Sequence, residues 1–183
     1  MIEKQIDRLN PEEQHVLEVA SVVGPQFSAA AVAAGTEITA GEVEACCTKL
    51  ARRGHFLWTN GISEWPDGTV ATRYSFLHAL YQEVLYERIP TGQRTVLHKR
   101  IGEREEQAYG DQVREIAAEL AIHFERGRDY RKAVRYLGQA GENAGRRSAH
   151  AEAISHLTKG LELCKTLPDA PESAQQELTL QVA

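Results

Sequence analysis

The segment from Tyr74 to Pro90, YSFLHALYQEVLYERIP, changes from a strand pattern to a helix pattern, and His78 lies at the change. Apolar and polar residues alternate before His78, whereas the apolar residues after it recur on a 3.6-residue period. A histidine at such a junction can face a ligand, or it can simply solvate the first turn of the helix. Both interpretations of His78 stay open on this pattern alone.

Few other patterns in the chain are suited to catalysis. The histidines form no H-E-x-x-H pair that could bind a catalytic zinc, and no G-x-S-x-G sequence could present a serine nucleophile. The histidines are His15, His55, His78, His98, His123, His150 and His156. Cys46 and Cys47 lie on a predicted helix, where we expect packing roles, and no cysteine spacing matches a zinc site. We therefore expect no catalytic residue, no metal site and no enzyme activity in this chain.

The C-terminal half contains a local group of cations, which we call the basic cluster. It consists of Arg126, Arg128, Arg131, Lys132 and Arg135, and Arg146 and Arg147 follow nearby. Such a cluster can bind an acidic protein partner or the acidic N-terminal half of the chain, and salt-sensitive self-association would be one sign of it. The alternative is a solvated helix face. The basic cluster is the partner-binding site that the sequence predicts.

The negative charge of the chain is confined to its first half. Residues 1–90 carry seven Lys or Arg against twelve Asp or Glu, a net charge of −5, while residues 91–183 carry fourteen of each. Nucleic-acid binding draws most of its affinity from the neutralisation of phosphates. We therefore do not expect direct binding to nucleic acid.

Composition favours a folded, mostly helical protein. The chain has 183 residues, of which 42% are hydrophobic and 7% aromatic, and Ala, Leu, Glu and Arg are abundant. It has no apolar run long enough to cross a membrane, and its first residues lack the apolar core of a signal peptide. Three cysteines do not make a disulfide framework. We expect a cytoplasmic protein with no membrane partner.

Start and stop signals in residues 1–90 predict three helices followed by a β-hairpin. Asn10, Ser28 and Thr39 can each cap a helix, and Gly54 can end the third one. Strand patterns at His55 to Thr59 and Tyr74 to Phe76 flank an irregular insert, NGISEWPDGTVA.

Part of this insert, Ile62 to Trp65, can form an extra strand. Of the two tryptophans, Trp65 beside Pro66 is the better candidate for exposure, although a hairpin lid over the winged-helix core is the favoured use. Three helices and a β-hairpin make a winged-helix domain, which we assign to residues 1–90.

Residues 91–183 are predicted to be helical throughout. Asp129 and Ser148 can cap two successive helices, Pro168 closes the second, and a further helix begins after Pro171 without a stop signal. The segments GRDYRKAVRYL and RSAHAEAISHL resemble each other twenty residues apart. Small residues within them would let neighbouring helices approach closely. We predict an antiparallel, tetratricopeptide-like helical array at 91–183, truncated at its C-terminal end and part of a longer polypeptide.

Three segments, taken in order, resemble the bacterial STAND-type predicted ATPases, a family of signal-transduction proteins. They are LNPEEQHVLEVASVVGPQFS, YSFLHALYQEVLYERIP and AAELAIHFERGRDYRKAVRYL. The similarity extends over nearly the whole chain. It implies a winged helix followed by tetratricopeptide-like helices, both downstream of a nucleotide-binding module.

The resemblance also implies a role for His78. In related switch ATPases a histidine at this strand-to-helix step contacts the β-phosphate of ADP, and an imidazole beside a helix N-terminus is suited to bind an anion. This sequence departs from the family pattern at Ala79, where the family has an acidic residue.

No G-x-x-x-x-G-K-S/T occurs here, so ATP or ADP with magnesium would bind to the upstream module of the parent protein. The resemblance implies a regulatory fragment that couples nucleotide state to a helical sensor and its effector or protein partner. The alternatives are part of an ATP-dependent transcriptional regulator, or a stand-alone interaction scaffold.

Overall fold

The computed structural model describes residues 2–167, which are mainly helical with one small antiparallel sheet. This confirms the predicted predominance of helix. The elements up to residue 76 are α1 (Ile2–Ile6), α2 (Pro11–Val23), β1 (Gln26–Ser28), α3 (Ala29–Gly35), α4 (Ala40–Arg53), β2 (Leu57–Glu64) and β3 (Val70–Phe76). The others are α5 (Ala79–Arg88), α6 (Thr91–Tyr109), a 3₁₀ segment (Gly110–Ile116), α7 (Ala117–Arg126), α8 (Tyr130–Arg146) and α9 (His150–Cys164).

The chain divides into two compact units between Ala108 and Tyr109. The sequence placed its domain boundary after residue 90, whereas α6 groups almost entirely with the first unit. Packing explains this grouping, because Leu97 and Ile101 of α6 lie against Gly35 at the end of α3. A Cβ atom at Gly35 would also lie 2.6 Å from Val19 Cγ1, so α3 packs tightly against α2 at this point.

The helix boundaries of the first unit follow the predicted caps. Asn10 and Thr39 each form a capping box with a glutamate at the third helical position, and the Ser28 hydroxyl accepts a hydrogen bond from the Ala31 N–H. Gly54 ends α4 in the left-handed conformation, with φ of 64°. These signals are local, which is why the sequence predicts them.

The sheet has the strand order β1-β3-β2, and both pairings are antiparallel. The prediction of a separate strand at Ile62 to Trp65 is wrong, because β2 runs through Asn60-Gly61 with an irregularity and continues to Glu64. Gly61 has φ of 80° and accommodates the one extra residue of β2 at this irregularity. The sequence also missed β1, which adds to the free edge of β3.

The tip of the hairpin is closed by a residue of α6. Arg104 forms an ion pair with Asp67 at 2.9 Å, donates to the Thr69 hydroxyl at 3.0 Å and covers the ring of Trp65. As a result Trp65 is 5% exposed, whereas Trp58 is 50% exposed. The expectation that Trp65 is the exposed tryptophan is therefore wrong, because its cover comes from a distant part of the sequence.

In the second unit, α7, α8 and α9 pack in succession, and the same turn joins each pair. Arg128 and Ser148 both have φ of 60°. The N–H of the following residue, Asp129 or Ala149, donates to the carbonyl five residues earlier at 2.8 or 2.9 Å. These are Schellman motifs with a residue other than glycine in the left-handed position.

The predicted cap at Asp129 is confirmed, since its carboxylate accepts from the Lys132 N–H. The predicted cap at Ser148 is wrong. Ser148 occupies the left-handed position of the turn, so Ala149 precedes the helix and provides no side-chain cap.

The core of this unit lies between α7 and α8, where the rings of Phe124 and Tyr136 stack with centroids 5.6 Å apart. Gly141 allows α9 to approach α8, because a Cβ there would lie 2.7 Å from Leu157.

The predictions for Pro168 and for a helix after Pro171 lie outside the described residues. Within residues 2–167, none of the helices combines the length and the apolar character needed to cross a membrane.

Candidate functional site

His78 lies where β3 has ended and α5 begins, as the sequence predicts. It has extended backbone angles, φ −142° and ψ 139°, and is the residue that precedes the first turn of α5. Its side chain makes no capping hydrogen bond and is exposed. The imidazole is therefore presented to solvent at the N-terminal end of a ten-residue helix.

The orientation of the His78 ring is supported by Tyr81, one turn into α5. The two ring centroids are 5.7 Å apart. Tyr81 is itself held by Phe56, with centroids 5.1 Å apart, and its hydroxyl donates to Gln5 Oε1 at 3.2 Å. Three parts of the first unit thus fix the surface on which His78 lies.

Two exposed apolar side chains flank His78. Leu77 precedes it and Leu80 follows two residues later, and both are large hydrophobic residues that remain solvent-accessible. An imidazole with apolar neighbours at a helix start can contact a ligand or a protein surface. The geometry fits the interpretation of His78 as a contact residue, and it also allows a purely solvated histidine.

The basic cluster is found around the turn between α7 and α8. Arg126, Arg128 and Arg131 are exposed. Lys132 Nζ lies 4.6 Å from the ring centroid of Phe124, and the Arg135 guanidinium lies 4.7 Å from that of Tyr136. Lys132 and Arg135 therefore cover the aromatic core of the unit, which makes part of the cluster structural.

The surface of α4 is poorly suited to phosphate. Lys49 and Arg53 form ion pairs with Glu13, at 2.9 and 3.1 Å, and Glu13 is almost fully buried. Glu44 accepts a hydrogen bond from Thr72 and lies on the exposed side of the same helix. Lys49 and Arg53, two of the three cations of α4, thus already have a carboxylate partner, which leaves less positive charge for a phosphate.

Burial raises the pKa of Glu13, but the hydrogen bonds from Lys49 and the Asn10 backbone and the charge of Arg53 together hold this pKa below its ordinary value.

The cysteines of α4 are buried and occupy packing positions. Burial raises the pKa of Cys46 to about 11, and it raises the pKa of Cys47 further. A thiol with a raised pKa is a poor nucleophile at neutral pH. In the part of the chain that the structure describes, no group of three or more His, Cys, Asp and Glu side chains could hold a metal ion.

The sequence did not predict a cavity in the second unit, which we call the arginine cleft. It is lined by Arg114 of the 3₁₀ segment, by Arg146 and Arg147 at the end of α8, and by Glu152 and His156 of α9. The only sequence signal was the proximity of Arg146 and Arg147 to the basic cluster. Four elements, the 3₁₀ segment and α7, α8 and α9, contribute to the cleft, so local patterns do not reveal it.

Over 150 residues the chain is 30% identical to an uncharacterized protein of Rhizobium meliloti (strain 1021). The alignment covers 79% of this chain and 15% of that protein, so the chain corresponds to a small part of its relative. No family model matches the chain, and no solved structure matches it significantly.

Proposed function

We propose that this chain is a non-catalytic regulatory module of a STAND-type signalling ATPase. In this proposal residues 1–90 form a winged helix that responds to the nucleotide state of an upstream module, and the later helices form a tetratricopeptide-like surface for a protein partner. ATP or ADP with magnesium would be bound by the parent protein, in the cytoplasm.

The topology of the first unit supports the winged-helix assignment. Helix α2 is followed by a short strand, by α3 and α4, and then by the hairpin, and the short strand pairs with the second strand of the hairpin. This order of helices and strands is the one expected of a winged helix. Helix α4 packs on the sheet, where the hydroxyls of Thr48 and Tyr74 are hydrogen-bonded at 2.8 Å.

The repeated turn supports the helical-array assignment. Identical left-handed positions at Arg128 and Ser148, twenty residues apart, mean that two successive helix pairs are joined in the same way. Repeat proteins are built from such recurring connections, which stack neighbours into a continuous core.

The main observation in favour of the proposal is the exposure of His78. His78 lies at the N-terminal end of α5, two residues after the end of β3, and its side chain takes no part in capping that helix. A phosphate at this position would receive hydrogen bonds from the imidazole and from the first N–H groups of α5. Loss of that phosphate would release the winged helix, which is how nucleotide state would reach the helical array.

The test is ADP binding by the longer protein that includes a phosphate-binding loop, with the present chain measured in parallel. Isothermal titration calorimetry should detect binding only by the longer protein. His78→Ala should weaken ADP binding by roughly tenfold, the usual effect of losing one hydrogen bond to a charged group. His55→Ala is the matched control, because His55 is also exposed and lies in the same unit.

Equal ADP affinity in the His78→Ala variant and the His55→Ala variant would remove His78 from the proposal. Absence of ADP binding by the longer protein would leave the interaction scaffold as the better account.

A further inference from the structure

We propose that the arginine cleft of the second unit binds an acidic peptide segment of a protein partner. This inference rests on the proposed role of the helices as a partner-binding surface, and it names the site and the chemistry of the partner. It replaces the basic cluster as the expected contact region.

The cleft is a cavity of about 450 Å³ within a single unit. Its lining includes Ala118, which is partly exposed, and the buried Ala140, together with Arg114, Arg146 and Arg147. Each guanidinium presents five N–H donors in a planar fork that matches a carboxylate. A peptide can therefore place its backbone over Ala118 and its carboxylates on the arginines.

The arginines of the cleft are only loosely engaged by the acids beside them. Arg114 and Arg146 share Glu142, at 3.5 and 3.9 Å, and Arg147 is 3.5 Å from Glu152. Charge-assisted hydrogen bonds of good geometry are about 2.7–2.9 Å long. All three arginine side chains are more than half exposed. Their donors are therefore accessible to an incoming carboxylate.

The acids of the cleft favour a peptide over nucleic acid or a polyphosphate. Glu115 and Glu152 line the cavity, and Glu142 lies next to two of its arginines. A densely charged phosphate chain would be repelled by these carboxylates, whereas a peptide can space its carboxylates to meet the arginines alone. Among the described residues, the lining of the cleft includes no Phe, Tyr or Trp ring, and its one imidazole, His156, lies 3.7 Å from the Glu152 carboxylate.

The cleft is a better candidate than the basic cluster because its cations are less engaged with the core. In the cluster, Lys132 and Arg135 lie over aromatic rings, and Arg135 also donates to the Tyr136 hydroxyl at 2.9 Å. Moving them toward a partner would uncover Phe124 and Tyr136. Arg114 and Arg147 do not cover these rings, so either can move toward a partner without uncovering them.

The experiment measures fluorescence anisotropy of a labelled peptide that alternates glutamate with alanine, titrated with the full chain at low salt. We expect saturable binding that weakens as salt is added. The double variant R114Q/R147Q should lose roughly tenfold in affinity for each guanidinium removed.

Arg128→Gln is the matched control, because Arg128 is an exposed arginine of the basic cluster in the same unit. The affinity of this variant for the peptide should be within about twofold of that of the parent chain, because an exposed charge outside the contact contributes little.

Folding is checked by circular dichroism, and R114K/R147K provides a second variant that keeps the charge. The lysine variant should bind the peptide more tightly than the glutamine variant but less tightly than the parent, since it lacks the planar fork. An equal loss of affinity in Arg128→Gln would overturn the proposal by showing nonspecific attraction or binding at the basic cluster.

Absence of peptide binding, or full competition by an equal concentration of inorganic phosphate, would also overturn the inference. The ADP experiment with His78→Ala is independent of peptide binding. It would show whether the regulatory proposal holds even if the cleft does not bind the peptide.

Discussion

Replacing Gly141 with alanine should destabilise the second unit, because the new methyl group has no space. Its Cβ would lie 2.7 Å from both Cγ and Cδ2 of Leu157, well inside van der Waals contact. Rotation about χ2 of Leu157 moves only its Cδ atoms and leaves Cγ in place, so relief of the overlap requires a change of χ1 within a packed interface or a separation of the helices.

The magnitude follows from two opposing effects. Overpacking of a core costs about 1–3 kcal/mol, while glycine to alanine inside a helix gains about 0.5–1 kcal/mol. We expect a net loss of about 1–2 kcal/mol in the free energy of unfolding. Gly145→Ala is the matched control in the same helix, since nothing lies within 4 Å of its added Cβ. This control should be stabilised by up to about 1 kcal/mol.

The assay is urea unfolding followed by circular dichroism, with hydrogen exchange of α8 and α9 amides to report on the second unit. A double-mutant cycle with Leu157→Ala should give a coupling of at least about 1 kcal/mol, because the smaller residue removes the clashing atoms. Equal stability of Gly141→Ala and Gly145→Ala, or an additive double mutant, would refute the close approach of α8 and α9.

Three further variants test other parts of the structure. Glu13→Gln should lower the free energy of unfolding by about 1–3 kcal/mol at neutral pH. The lowered pKa of Glu13 means that the parent loses this stability as pH falls below 4.5 through the folded-state value. Urea unfolding at several pH values should therefore show the two proteins converging in acid. Arg104→Ala should uncover Trp65, shift tryptophan emission to longer wavelength and increase its quenching by iodide; an unchanged spectrum would contradict the cover that α6 provides. Burial lowers the pKa of His123 to about 4 from 6.5, so as pH falls the unfolded chain is protonated at a higher pH than the folded chain. Amide protection in α7 should decline as pH falls from 6.5 to 4, by up to about 1.4 kcal/mol per pH unit, and His123→Asn should abolish that slope.

The sequence predicted the features that depend on neighbouring residues. The caps at Asn10 and Thr39 require only residues within one turn, and the change of pattern at His78 lies within a few residues. For this reason most helices of the first unit, and the position of the candidate contact residue, followed from the amino-acid pattern.

Features that depend on distant residues were missed. Strand β1 has only three residues, too few to show a period, and it exists because β3 offers an open edge. Trp65 is buried by Arg104, which lies in another helix. The arginine cleft needs four elements to meet. Ser148 resembled a cap because its left-handed backbone conformation leaves no mark in the sequence.

The two matching turns of the second unit bear on how a series of helices joined in this way can evolve. Arginine and serine both tolerate the left-handed position, so the geometry of the joint does not depend on one residue type. Each such residue costs roughly 1–2 kcal/mol, and the recurring main-chain hydrogen bonds offset that strain. A helix and its turn could therefore be duplicated together, after which the surface residues diverge. The common origin of the segments would then remain visible in the turn geometry after their sequence similarity had been lost.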